Sequence, residues 1–182
     1  MRRWCLRKYK ENIMINEIYT RRSVRNFKPD EISDENIRKI LSAGLSGPSG
    51  HAAHPLEMIV IKSREKMEKI ATFFPYAKFA PSAPVAILVC HDLNRCAKLM
   101  QGNPQLSVMD AAAGIQNMLL MAKSMDIGSC WTHAMLTPNE YKELCNLPEN
   151  IIPVACVFFG YTDMPGKPRD KFNESRVHSE EW

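Results

Sequence analysis

The sequence predicts one domain in which helices cover both faces of a central sheet. Two apolar runs of strand length, at 84–90 and 153–159, are typical of strands that are buried on both faces. Between them, residues 104–125 predict a long helix whose apolar side chains point in nearly every direction. Such a helix must be buried all round. In so small a chain, that is more easily arranged across a subunit interface than within one subunit.

Local signals predict the remaining helices and strands. Ser33 caps a helix whose apolar residues recur at helical spacing, and the glycines and proline of 47–50 end that helix. Thr137 and Glu140 form a capping box around Pro138, so another helix begins there. The other predicted elements are a helix over 12–22, a proline turn over 28–30, a strand over 56–61, a helix over 63–73 and a turn over 126–131.

Length and composition are those of a single globular domain. The chain has 182 residues, of which 45% are hydrophobic and 24% charged. No window reaches the roughly 18 uninterrupted apolar residues that a membrane-spanning helix needs, so we expect no membrane-spanning segment. The six cysteines form no CxxC pair, and we expect reduced thiols in a cytoplasmic protein. The five histidines show no zinc-ligand spacing, so the sequence predicts no metal site.

Positive charge is concentrated near the N-terminus. Residues 1–28 contain nine Lys or Arg and two Glu, a local net charge of +7 in a chain whose total is +4. A basic arm can bind nucleic acid, but no recognised nucleic-acid module follows it, so we expect no nucleic-acid partner. The organised pattern begins at Met14. We therefore interpret 1–13 as a basic extension and 14–182 as the single domain.

Two cationic segments from opposite ends of the chain predict an anion-binding site. The run RRSVR extends from Arg21 to Arg25, and Lys167 and Arg169 lie in the stretch PGKPRDK. A planar guanidinium matches the oxygens of a phosphate two at a time. The chain has no glycine-rich phosphate loop. We therefore predict that the two segments converge on one small anionic group.

Two stretches of small residues could let a flat ligand approach the backbone. They lie at 47–50 and 126–131, next to the predicted helices. Small side chains expose backbone N–H groups and permit close contact. Plain helix termination is the alternative, with Gly128 in the position that follows the end of the long helix.

Taken in order, these segments resemble the nitroreductase family of flavin-dependent oxidoreductases. The resemblance covers 15–182 and depends on IYTRRSVRNF, the GPSG at 47–50, DIGSCW, FFGYTDMPGKPR and the ending VHSEEW. It implies an α+β fold with a central mixed, mostly antiparallel sheet and helices on both faces. It also implies an intertwined homodimer with two FMN molecules in the interface.

The resemblance further implies an activity and a set of cofactor-binding residues. Hydride would pass from NAD(P)H by way of FMN to a nitroaromatic, quinone or similar planar acceptor in a ping-pong mechanism, with no catalytic side chain. The implied FMN-binding residues are Arg21, Arg22, Ser23, Arg25, Lys167 and Arg169 around the phosphate and ribityl tail, Gly128, Ser129, Cys130 and Trp131 against the ring, and Pro48 and Ser49 from the other subunit.

The chain departs from the family pattern just after Ser49. It reads GHAAHP where family members commonly have an asparagine and a glutamine before the proline. Ala52 has no polar group for the flavin, and His54 replaces an amide. The rings of His51 and His54 either line the substrate face or have no role. Lys78 either contacts the flavin or is solvated.

Other functions therefore stay open at the level of sequence. One is a flavin-binding carrier, sensor or redox partner without NAD(P)H turnover, which the altered stretch after Ser49 leaves open. Another is a specialised relative that uses the same pocket for dehalogenation or flavin destruction. Nucleophilic catalysis by Cys130 is disfavoured, because no base is visible for it.

Overall fold

The computed structural model describes residues 15–97, 105–164, 166–169 and 171–182. The strands are β1 (Leu56–Ile61), β2 (Val85–Asp92), β3 (Ile127–His133) and β4 (Ile151–Tyr161). The helices are α1 (Asn16–Thr20), α2 (Asp34–Leu45), α3 (Arg64–Phe73), α4 (Leu93–Ala97), α5 (Gln105–Ser124) and α6 (Pro138–Cys145). The predicted basic extension at 1–13 lies outside the described residues.

The four strands form one antiparallel sheet in the order β1-β2-β4-β3. The two apolar runs became the central strands β2 and β4, and both are buried on both faces, as predicted. Side chains alternate between faces along a strand. Leu88 of β2 therefore lies in one core cluster with Tyr141 of α6, and Ile87 lies in the other with Ile115 of α5. Helices α3 and α6 cover one face, and α2 and α5 cover the other.

The N-terminal cap predicted at Ser33 is confirmed, and Ser63, predicted only as the start of a helix, caps α3 in the same way. The backbone N–H of Asn36 donates to Ser33 Oγ at 3.2 Å, and that of Lys66 donates to Ser63 Oγ at 3.3 Å. Each bond satisfies one of the unpaired donors in the first turn of a helix. Helices α2 and α3 accordingly begin where the sequence predicts.

The predicted turn over 126–131 is wrong, because residues 127–133 form strand β3 and pair with β4 along their whole length. The residue with left-handed backbone after α5 is Asp126, at φ 54°, and not Gly128. Gly128 is small for another reason. A Cβ there would lie 2.9 Å from Thr162 Cγ2 and 3.0 Å from Val24 Cγ2, so a larger residue would push the neighbouring segments off the strand.

Two helix predictions need smaller corrections. Helix α6 begins at Pro138 as predicted, but the side chain of Thr137 does not cap it. Thr137 has ψ 57° instead of the extended conformation that an N-cap requires, and its buried hydroxyl has no partner among the described residues. Helix α1 spans Asn16–Thr20 only, whereas 12–22 was predicted; residues 12–14 lie outside the described part.

The arginine run lies along the exposed edge of β3. Ser23 forms a parallel bridge with Ser129, and the N–H of Val24 donates to Ser129 O at 2.9 Å. A little further on, the N–H of Lys28 donates to Tyr161 O at 2.8 Å. This bridge is the only parallel pairing among the described residues, so the sheet itself is antiparallel rather than mixed. The pairing fixes the position of the main chain from which the side chains of Arg21 to Arg25 extend.

Helix α5 is buried on one side and partly exposed on the other within a single chain. Ile115 and Met118 are fully buried against the sheet, whereas Met109 is 68% exposed. A shallow groove of about 570 Å³ also runs between α1, α2 and α5, with Ile15 and Leu120 among its lining residues. The expectation of a helix buried all round therefore does not hold for one chain alone.

Candidate functional site

The two cationic segments predicted to converge do meet in the structure. The N–H of Arg169 donates to Tyr19 O at 3.0 Å, and the guanidinium of Arg22 donates to Lys167 O. Gly166 lies so close to Thr20 that a Cβ would collide with the Thr20 carbonyl oxygen. Direct contacts of the main chain therefore join the segment after α1 to the segment after β4.

A cleft opens along this junction. Its outer part, of about 730 Å³, is lined by Arg21, Arg22, Ser23, Arg25, Lys167, Arg169 and Lys171 together with Ile18, Tyr19, Met164 and Phe172. Its inner part, of about 280 Å³, shares Arg21, Arg22 and Met164 with the outer part and extends to Gly128 and Ser129 of β3. These volumes are typical of small-ligand sites, roughly 300–1,000 Å³.

The outer cleft holds a concentration of unpaired positive charge. None of its six cationic side chains forms an ion pair among the described residues, although eight ion pairs occur elsewhere in that part of the chain. Burial and the nearby charges of Arg169 and Arg21 lower the pKa of Arg22. Like charges held together are unfavourable in the empty fold, so this arrangement is typical of a site that binds an anion.

Arg22 differs from the other cations of the cleft. Its guanidinium donates to Tyr19 O at 2.9 Å, to Arg21 O at 2.5 Å and to Lys167 O. These bonds use the terminal nitrogens that would otherwise point at a ligand. Arg22 thus joins the two ends of the chain and adds charge to the cleft, whereas the side chains of Arg21 and Arg169 make no hydrogen bond or ion pair to the described residues.

The four predicted ring-contacting residues of β3 divide into two groups. Gly128 and Ser129 line the inner cleft, but Cys130 and Trp131 do not. Cys130 is 2% exposed in the core cluster on the opposite face, where burial raises the pKa of its thiol against the effect of Arg25 and Arg21. A neutral, buried thiol is a poor nucleophile, in keeping with the sequence interpretation.

Trp131 lies outside the cleft but is not fully satisfied. The residue is half-buried on the face that α5 covers, and its ring lies 5.8 Å from that of His133. The indole N–H is buried and has no hydrogen-bond partner among the described residues. A buried tryptophan usually has a partner for this group, so the absence of one within the described chain is unusual.

Pro48 and Ser49 do not line the cleft of their own chain. Ser49 Oγ instead donates to Asp110 Oδ2 at 2.8 Å, which ties the segment to α5. His51 and His54 are exposed on the same segment, and Lys78 is exposed elsewhere and does not line the cleft. One chain therefore brings together the two cationic segments and β3, but not the 47–55 region.

Sequence reasoning missed several residues of the site. Lys171, Met164 and Thr162 line the cleft, and Gly166 holds its wall. Lys171 could have been found, because it lies in the quoted PGKPRDK stretch. Asp110 was not predicted as a site residue. It is the only acidic residue of α5, and this isolated carboxylate is the signal that could have identified it as an anchor.

Metal-binding clusters, disulfides and membrane-spanning helices are absent from the described residues. In that part of the chain, no group of three or more His, Cys, Asp or Glu side chains is placed to hold a metal ion. The five cysteines that the structure describes are all free. Of the helices in 15–97 and 105–164, none has both the length and the apolar character needed to cross a bilayer.

The fold and the cleft define an α+β domain with a cationic cleft at the edge of β3. The chain matches the model of the nitroreductase family over residues 18–75 and 74–161, and it belongs to that family.

Relatives share both sequence and fold with the chain. A Methanothermobacter thermautotrophicus protein, provisionally described as an NADH dehydrogenase/NAD(P)H nitroreductase, is 36% identical over 173 residues, or 93% of this chain and 87% of that protein. The structure of a Bacteroides thetaiotaomicron protein with the same provisional description is 33% identical, with a TM-score of 0.83 over 92% of this chain and 97% of that one. A Desulfovibrio desulfuricans nitroreductase structure, provisionally so described and in complex with FMN, is 27% identical, with a TM-score of 0.78 over 95% and 99%.

Proposed function

We propose that this chain is an FMN-dependent oxidoreductase that passes hydride from NAD(P)H by way of FMN to a small planar acceptor, such as a nitroaromatic or a quinone. The observation that supports this most strongly is the cleft of unpaired cations beside Gly128 and Ser129. FMN combines a phosphate dianion with a flat ring. The relative described as an NADH dehydrogenase/NAD(P)H nitroreductase and the nitroreductase structure in complex with FMN support the same assignment.

The residues of the cleft fit this cofactor. The unpaired side chains of Arg21, Lys167 and Arg169 would hold the phosphate, because guanidinium and ammonium groups form strong hydrogen bonds to phosphate oxygens. Gly128 and Ser129 line the inner, narrower part, and their small side chains would leave room for an edge of the ring. When bound, FMN supplies the carrier for a two-electron hydride transfer.

The protein contributes binding and orientation. Arg22 and Gly166 hold the cleft wall in place through their main-chain contacts, and the bridge between Ser23 and Ser129 fixes the distance from the arginine run to β3. The nucleotide and the acceptor would use the same face in turn, which is a ping-pong order. In this proposal no acid–base side chain is required, because the flavin carries the chemistry.

We further propose that two chains form a homodimer that completes each site. Pro48 and Ser49, which would contact the cofactor, lie away from the cleft of their own chain. Exposed apolar side chains favour an extensive partner surface: Met109 on α5 is 68% exposed, Val177 63% and Trp182 101%. Sedimentation velocity across a range of concentrations should give a dimer, and a monomer at micromolar concentration would overturn this part of the proposal.

The decisive test of the proposed function is the visible absorption spectrum of the purified protein. We expect a yellow protein with stoichiometric FMN, which NADH or NADPH reduces under anaerobic conditions and which menadione or a nitrofuran reoxidises. A colourless preparation that takes up no added FMN would overturn the proposal. Comparing the reduction rates with the two nucleotides also reveals which one the protein uses.

One observation favours a second function. Ala52 and His54 stand where family members commonly have amides, so the contacts at the ribityl tail or ring edge could differ. A flavin-binding carrier, sensor or redox partner would then bind FMN that neither nucleotide reduces. A specialised relative for dehalogenation or flavin destruction would be reduced, but would turn over poorly with menadione and nitrofurans.

A further inference from the structure

The segment that follows α2 has an unusual main chain. His51, Ala52 and His54 have φ angles of 51°, 54° and 45°. Residues with a Cβ rarely adopt this left-handed region, in which glycine is the default. Such strain persists only where the surroundings hold the chain in place, and it is often found at functional sites. We call residues 49–54 the histidine loop.

Asp110 of α5 is the first anchor of the histidine loop. Its carboxylate accepts the hydroxyl of Ser49 at 2.8 Å and the backbone N–H of Gly50 at 3.2 Å. Ser49 Oγ in turn accepts the N–H of His54 at 2.9 Å. One carboxylate therefore holds the start of the loop, and through Ser49 it also holds the end.

Arg95 of α4 is the second anchor. It donates to His54 O at 2.9 Å and is itself held by ion pairs with Glu57 at 2.9 Å and with Asp92 at 3.6 Å. The N–H of Asp92 donates to Pro55 O at 2.8 Å, which fixes the exit of the loop on β2. Two independent polar anchors thus hold a main chain that would otherwise relax.

The two imidazoles are the groups that this arrangement leaves available. His51 and His54 are both exposed, and neither ring makes a hydrogen bond or ring contact among the described residues. Glycine would adopt the same main chain without strain. The rings are therefore not needed to form the loop. Asn146 offers a contrast, because its left-handed backbone at φ 50° simply ends α6 and donates to Glu143 O.

We propose that the histidine loop binds the oxidising substrate. In this proposal His51 and His54 donate hydrogen bonds from their ring N–H groups to the oxygen atoms of a nitro or quinone acceptor, and Asp110 and Arg95 are positioning residues. A neutral imidazole always keeps one N–H donor, and nitro and quinone oxygens are acceptors only. The proposal rests on the proposed function, in which the loop of one chain reaches the flavin of the other.

The positioning role is tested by amide hydrogen exchange on the FMN-loaded protein, measured residue by residue with NMR. We expect the amides of Gly50 and His54 to exchange at least tenfold faster in Asp110→Ala than in the wild type, and Asp110→Asn, which keeps an acceptor oxygen, to recover much of the protection. Ser49→Ala provides a second variant if Asp110→Ala does not fold. Equal protection in all variants would overturn the role of Asp110.

The acceptor-binding role is tested with His51→Gly and His54→Gly, which keep the main chain and remove the ring. Menadione is titrated calorimetrically onto the oxidised, FMN-loaded protein without nucleotide, so that no turnover occurs. We expect its Kd to rise at least fivefold in each variant, and its KM in steady state to rise in parallel while the KM for the nucleotide changes less than twofold. Asn146→Gly, which also replaces a left-handed residue, is the matched control and should leave both unchanged.

The outcomes separate this proposal from the proposed function. If the glycine variants bind FMN and menadione as the wild type does, the histidine loop is not an acceptor-binding element, and the flavin assignment stands. If the wild type takes up no FMN, the proposed function and the acceptor role fail together. The exchange experiment, repeated on the protein as purified, then still decides whether Asp110 holds the loop.

Discussion

The cationic cleft and the histidine loop satisfy their polar groups in opposite ways. In the cleft, the side chains of Arg21 and Arg169 have no carboxylate partner among the described residues. In the loop, the carboxylate of Asp110 is engaged by two donors, and Arg95 is paired twice. The comparison teaches that charge left unpaired indicates where a ligand binds, whereas charge that is paired indicates a main chain held in position.

Arg22 combines both situations, because its charge has no carboxylate partner among the described residues while its N–H groups bind main-chain carbonyls. Replacing it is therefore the strongest test of this distinction. Replacing Arg22 by alanine removes three hydrogen bonds from a charged donor to main-chain carbonyls. Because these bonds join the segment after α1 to the segment after β4, we expect the free energy of unfolding to fall by more than in Arg21→Ala, although the partial exposure of the side chain limits the loss. Urea unfolding measures that loss, and FMN retention should fall with it. Full stability in Arg22→Ala would show that these contacts do not join the chain ends.

The unpaired arginines should behave differently. Replacing Arg21 or Arg169 by alanine should weaken FMN retention by about 1.5–3 kcal/mol, because each change removes a hydrogen bond to a charged phosphate. Thermal stability of the apoprotein should be unchanged or slightly higher, since a repelling charge is removed. Fluorescence titration with FMN gives the affinity. Lys142→Ala, outside the cleft, is the control, and unchanged affinity in both arginine variants would show that the phosphate is held elsewhere.

For the histidine loop, we expect a measurable coupling between Ser49 and Asp110. A double-mutant cycle with Ser49→Ala and Asp110→Ala should give an interaction energy of about 1–2 kcal/mol in urea unfolding, as is usual for residues in one hydrogen-bond network. The corresponding cycle between Asp110 and Arg21 should give a value near zero. If the losses of unfolding free energy in the two single variants simply add, Ser49 and Asp110 are not coupled, and this would contradict the view that Asp110 holds the loop through Ser49.

The smallest expected effect is a loss of folding stability at acidic pH. Burial lowers the pKa of His91, and the negative charge of Asp92 opposes this effect. The Nδ1 atom of His91 lies 2.5 Å from Ser107 Oγ. The unfolded chain therefore binds this proton first as the pH falls. The free energy of unfolding should be constant above about pH 6.5 and decline below it, toward the pKa of the folded state.

Urea unfolding between pH 7.5 and 5.5 measures the decline. In His91→Gln the slope below pH 6.5 should flatten, and an identical slope in the variant would assign the effect to another group.

Much of the fold follows from local signals. The apolar runs at 84–90 and 153–159 could be recognised as buried central strands because an uninterrupted apolar run of strand length requires two covered faces. Ser33 could be recognised as a cap because its hydroxyl reaches a donor three residues along. Signals of this kind depend on residues that are close in sequence, so the sequence alone is sufficient to interpret them.

Other features depended on partners distant in sequence. The stretch that was predicted as a turn at 126–131 is a strand because β4 pairs with it, and Gly128 is small because of Thr162 and Val24. Thr137 fails as a cap although its spacing to Glu140 is correct. Spacing indicates what a residue can do, and the packed neighbours decide whether it does.

The sequence by itself determined that the chain has a buried sheet between helices, two cationic ends and the pattern of the nitroreductase family, because composition, periodicity and motif order are properties of the chain. Only the tertiary structure decided that Arg22 binds carbonyls while Arg21 stays open, that Cys130 faces the core, and that Asp110 holds a strained loop. The physical reason is that a side chain's role depends on which partner lies within hydrogen-bond distance, and folding alone brings residues such as Ser49 and Asp110 together.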